Sequence, residues 1–162
     1  MAFDIANGGT INHRSRMGIN APYAVEFVLD WADALTTKGS ALAASDVFSV
    51  INVPANTLLH GVVAEVMVVG DASAATIDVD VAEGDSFIDG ANIIASTGYA
   101  AFGTNGLAPF GANTVVNATA DTVDVKIATL SGTLTSGKVR VVAFMTDIAE
   151  IPGPASVARD VA

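Results

Sequence analysis

Apolar and polar residues alternate from Tyr23 to Ala32: Tyr23, Val25, Phe27, Leu29 and Trp31 fall on one side, with Ala24, Glu26, Val28, Asp30 and Ala32 on the other. A period of two with aromatic and β-branched residues on one face predicts a half-buried strand. Phe27 lies on its core face, so Phe27→Asp is expected to prevent folding. Val47 to Val53 is apolar on both sides, so both of its faces are expected to be covered. Leu58 to Val69 is the most apolar stretch. Its valines and the closing Gly70-Asp71 favour a central strand, bent at Gly61, over a helix. Thr76 to Ala82 sends Ile77, Val79 and Val81 inward and places Asp78 and Asp80 on the expected solvent face. Shorter patterned runs follow at Thr114 to Thr119, Val123 to Leu130 and Val139 to Thr146.

Turn chemistry separates these runs. Thr36 to Ser40 reads as a loop, Pro54-Ala-Asn-Thr57 as a turn in which Asn56 tolerates an unusual dihedral, and Gly132 to Gly137 as another turn. Glu83 to Asn113, rich in glycine, reads as a long excursion holding one or two short strands. Residues 1–21 lack periodicity and carry Asn7-Gly8-Gly9, Gly18 and Asn20, which suits an extended N-terminal arm. Residues 22–150 then form the body, and 151–162, with Pro152-Gly-Pro154, an extended tail. Seven to nine strands between turn signals, with no long helix, predict an all-β chain: a β-sandwich, jelly-roll-like, with an extended N-terminal arm.

Composition sharpens this picture. Of 162 residues, 51% are hydrophobic and 15% charged, which is too apolar for a disordered chain and poor in charge for an isolated monomer. The formal charge of −10 argues against direct nucleic-acid binding, because phosphates require a concentrated positive surface. No apolar run is long enough for a membrane helix, and Met1-Ala-Phe-Asp lacks the basic start of a secretory signal. With no cysteine, disulfides and thiolate chemistry are excluded. Arg14 and Arg16 sit beside His13 in the arm, so a basic arm precedes an acidic body and could dock on an acidic neighbour.

Catalytic equipment is hard to find. There are two histidines, one in the arm and His60 in an apolar strand, where a packed or interface role is expected. No serine lies in a Gly-x-Ser-x-Gly elbow, and no glycine cluster has the spacing of a phosphate loop. Asp78-Val-Asp80 opens like a calcium loop, but Ala82 stands where an oxygen ligand is needed and Gly84 comes one place late. The expectation is therefore no catalytic, cofactor-binding or metal-binding residues and no enzyme activity.

Two stretches carry a family resemblance: Val47-Phe-Ser-Val-Ile-Asn-Val-Pro-Ala-Asn-Thr57, leading into Leu58 to Val69, and Ala75-Thr-Ile-Asp-Val-Asp-Val-Ala-Glu-Gly-Asp-Ser-Phe-Ile-Asp-Gly90. Over residues 23–146 the chain resembles the decoration, or cement, proteins of tailed-bacteriophage heads, with Asn56 replacing the glycine usual in the turn. The resemblance implies a β-sandwich, a homotrimer on the outer capsid surface that bridges subunits of the major capsid protein, and arms reaching neighbouring subunits. Charge and position make Arg14, Arg16 and Tyr23 the candidate interface residues. The competing expectation is a carbohydrate-binding or adhesion module that uses the Glu83 to Asn113 excursion as its binding loop.

Overall fold

The computed structural model describes residues 2–4, 22–81, 87–102, 115–117 and 119–147. Its strands are β1 (Ala2–Asp4), β2 (Tyr23–Asp30), β3 (Val47–Val53), β4 (Thr57–Val68), β5 (Ala74–Asp80), β6 (Ile88–Asn92), β7 (Ala100–Phe102), β8 (Val115–Asn117), β9 (Asp121–Ser131) and β10 (Lys138–Asp147), with one helix, α1 (Trp31–Lys38), after β2. They form two sheets. Sheet A has the order β1-β3-β9-β5-β6, and sheet B the order β2-β10-β4-β7, with β8 also on β4. Every pairing is antiparallel except β1 on β3. The all-β expectation holds.

Alternation explains the core. Val25 and Leu29 of β2, Leu59, Val62, Ala64 and Val66 of β4, and Val139, Val141, Ala143 and Met145 of β10 face inward from sheet B. Phe48 and Val53 of β3, Ile77 and Val79 of β5, and Val123, Val125 and Ile127 of β9 meet them from sheet A. Phe27 and Tyr23 lie on the core side of β2, as the pattern requires, but are half-buried. Both faces of β3 are covered, and only Asn52 in that strand is exposed. The expected bend in β4 is a local irregularity: Phe144 pairs with Gly61 and Met145 with Leu59, so His60 is the extra residue. Asn56 adopts φ 57°, the left-handed turn conformation that asparagine tolerates.

The first strand is shorter than its alternation suggests, because the chain turns helical at Trp31. Asp30 caps the helix: it keeps an extended backbone while its carboxylate accepts from the Ala32 amide at 3.0 Å. Gly39, at φ 69°, ends the helix by donating to the Leu35 carbonyl, so the segment expected as a loop from Thr36 is helical as far as Lys38. The misleading signal is physical. One helical turn buries Trp31 and Ala34, and over so few residues that spacing is compatible with continued alternation. Trp31 is fully buried, and its ring meets Phe48 edge to face at 6.1 Å. Its amide donates to the Gly137 carbonyl at 3.0 Å. Gly137 cannot carry a side chain, since a Cβ there would lie 2.8 Å from the Gly70 Cα.

Candidate interaction surfaces

The two sheets present different outer faces. On sheet A the outward positions are polar: Ser49 and Asn52 of β3, Thr122, Asp124 and Lys126 of β9, Thr76, Asp78 and Asp80 of β5, and Asn92 of β6. Asp78 and Asp80 do point away from the core, but the expectation that they face solvent is wrong: they are only 7% and 6% exposed. Both lie on an interior strand flanked on each side, and their carboxylates are engaged. Asp78 accepts from the Gly90 amide of β6 at 3.0 Å and lies 3.9 Å from the Lys126 ammonium. Asp80 accepts from the Val81 amide at 2.7 Å and pairs in register with Asp124, which takes the Thr122 hydroxyl at 2.7 Å. Among the described residues no three histidine or carboxylate side chains come together as metal ligands.

Sheet B turns a more apolar face outward. Ala24 and Val28 of β2, Val142 and Phe144 of β10, and Leu58 and Val63 of β4 share this side, with Met67, Val68 and Tyr99 exposed at one end. One ionic group crosses it. The Arg140 guanidinium donates to Glu65 through two nitrogens, Nε at 3.0 Å, and lies 3.9 Å from Glu26. The contact with Glu65 raises the Arg140 pKa above its already high normal value. At the end of the row Lys138 holds Asp30 at 2.8 Å, which lowers the Asp30 pKa and raises that of Lys138. Every basic side chain of residues 22–147 is paired with an acid, Lys38 with Asp46 at 2.5 Å among them. No positive patch is left for a nucleic acid on these residues.

His60 is half-buried at the irregularity in β4, where its Nε2 lies 2.7 Å from the Thr146 hydroxyl. That contact ties β4 to β10, in keeping with a packed histidine. Of the candidate interface residues, Tyr23 opens β2 and pairs in register with Met145. Arg14 and Arg16 lie outside the described residues, as do most of the arm, the tail 151–162 and much of the glycine-rich excursion. Sequence reasoning missed the apolar outer face of sheet B, although alternate positions such as Val28, Val142 and Phe144 carry the signal. An apolar residue on the nominally polar side of a strand marks a second covered face.

No family model and no curated relative matches the chain. Solved structures do. A chain in the capsid of Ralstonia phage GP4 superposes with a TM-score of 0.61 at 13% identity, over 91% of this chain and 98% of that one. A chain in the capsid asymmetric unit of cyanophage Pam1 gives 0.58 at 19% identity, over 85% and 97%. The protein thus shares, over nearly its whole length, the fold of chains found in two phage capsids.

Proposed function

We propose that this protein is a structural component of a bacteriophage virion, one that decorates the outer surface of an icosahedral capsid and stabilises it by bridging subunits of the major capsid protein. The observation that carries the reading is the near-complete mutual coverage with chains of two phage capsids: the likeness extends over the whole of each chain, not over a shared module. The surface is consistent with it. An apolar sheet face crossed by a single ionic network suits burial against protein better than exposure to water. In this reading the chain acts without cofactor or catalysis, assembles in the host cytoplasm and works as a homotrimer. Each trimer makes modest contacts at several symmetry-related points, so multivalency supplies most of the holding strength. Tyr23, Arg14 and Arg16 belong to the contacting region.

Co-sedimentation with empty shells of the parent phage tests the role, and size-exclusion chromatography with light scattering tests the oligomer. Saturable binding by a trimer is expected, reduced when residues 1–21 are deleted. A monomer that stays in the supernatant at all shell concentrations would overturn the proposal.

A further inference from the structure

β2 is the outermost strand of sheet B. Its ladder with β10 runs from Asp30↔Lys138 to Tyr23↔Met145 without a register shift, and no described strand pairs with its other side. A regular edge of this kind, with no proline, lysine or bulge, is a template for a further strand. The other edges are weaker templates: β6 carries a register shift, and β1, β7 and β8 are short.

Two features say what fits there. Glu26 on the outer side of β2 is 66% exposed, and its nearest cation, Arg140, is held more closely by Glu65. On the core side, Phe27 and Tyr23 are half-buried while Val25 and Leu29 between and beyond them are sealed. The edge therefore calls for a strand with cations on one face and apolar side chains on the other.

We propose that residues 10–17 of the same chain, Thr-Ile-Asn-His-Arg-Ser-Arg-Met, add to this edge as an antiparallel strand. A hairpin turn through residues 18–22, which hold Gly18, Asn20 and Pro22, sets the register. Met17 then faces Tyr23, Arg16 faces Ala24, Arg14 faces Glu26, His13 faces Phe27, Asn12 faces Val28 and Ile11 faces Leu29. Alternation places Arg14 and Arg16 on the acidic outer side, and Ile11, His13 and Met17 on the core side over the half-covered rings. The far end closes as well. β1 holds Asp4 opposite Ser49, next to Phe48, whose ring touches Trp31, the residue after Asp30. The steps from Asp4 to Thr10 reach about 20 Å at roughly 3.4 Å per residue, enough to join β1 to the end of the added strand. Tethering favours this pairing over a second copy's β2, which would bring two Glu26 side chains towards each other with no new cation.

The chain has no cysteine, so engineered pairs are read without background. In the full-length protein, Asn12→Cys with Val28→Cys is expected to oxidise within one chain, at least tenfold faster than Asn12→Cys with Asn52→Cys, whose second site is exposed on sheet A. Amide hydrogen exchange gives an independent readout. Arg14→Glu should speed exchange across Val25 to Leu29 at least tenfold, and adding Glu26→Arg should restore it. A disulfide that forms no faster than the control, or only between two chains, overturns the proposal. So does unchanged exchange in Arg14→Glu.

Discussion

The contact between Phe48 and Trp31 offers a quantitative test of how the two sheets are held together. Phe48 lies on β3 of sheet A, Trp31 opens the helix that follows β2 of sheet B, and both side chains are fully buried. Replacing Phe48 with alanine removes a buried ring and leaves a cavity that tightly paired strands cannot close, at a cost of about 3–5 kcal/mol. Against a total stability of about 5–15 kcal/mol, that loss brings the domain close to unfolding at 37 °C. With a urea dependence of about 2 kcal/mol/M, the midpoint should fall by about 1.5–2.5 M. Trp31 is the only tryptophan, so its fluorescence in a urea titration reports on this contact. A double-mutant cycle isolates the pair. Phe48→Leu and Trp31→Leu, alone and together and followed by circular dichroism, should show a coupling of about 0.5–1.5 kcal/mol from the edge-to-face geometry. A Phe48→Ala midpoint equal to that of the parent, or strictly additive leucine variants, would refute the claim that this contact joins the two layers.

Other outcomes can be stated in the same terms. Thr57 is fully buried and its hydroxyl has no hydrogen-bond partner, so Thr57→Val should be neutral or stabilising by up to about 1 kcal/mol in a thermal melt. Asn56→Gly should melt at or slightly above the parent temperature, whereas Asn56→Val, forced into a left-handed conformation, should lose about 1–2 kcal/mol. The Asp71 carboxylate accepts from the Thr135 hydroxyl and from the Thr135 and Ser136 amides, which depresses its pKa from 3.8 to about 2. A depressed carboxylate stabilises the fold fully above pH 3.8, and its contribution fades as pH falls through about 2. Asp71→Asn should therefore cost on the order of 1 kcal/mol at pH 7, the value being limited by solvent screening, and the gap to the parent should narrow near pH 2 in urea titrations. Leu29→Asp, at a sealed position, should abolish the folded circular dichroism signal, whereas Phe27→Asp, at a half-buried one, should fold with reduced stability.

What could be read from the sequence follows from which forces act locally. Strand periodicity is local, and it correctly placed β2, β3, β4, β5, β9 and β10 with their core faces, down to the turn at Asn56 and the irregularity beside Gly61. The helix at Trp31 was legible in principle. Asp30 as cap, Asp33 in the first turn and Gly39 at the end are helix signals, but an eight-residue helix has little room for its period to show against the alternation before it. The burial of Asp78 and Asp80 was not legible. It depends on Gly90 and Lys126, brought alongside by strands distant in sequence. The same holds for the apolar outer face of sheet B, which exists only once β2, β10 and β4 lie side by side. Of the three candidate interface residues, the described structure locates only Tyr23.

The position of β10 has a consequence for how the protein is made. The last strand in sequence is an inner strand of sheet B, lying between β2, near the start, and β4. Until it arrives, β2 has no described partner and β4 has a bare side, so the whole apolar sheet waits for residues separated from Tyr23 by most of the chain. Sequence-distant pairing of this kind folds slowly, in milliseconds to seconds, because loop closure precedes any gain from contact. A chain stalled or clipped before Lys138 would display two unpaired apolar strands instead of a smaller stable domain, and would be a substrate for aggregation or proteolysis. Completion of synthesis and acquisition of a soluble fold are therefore nearly the same event for this protein, and only finished copies are fit to enter an assembly.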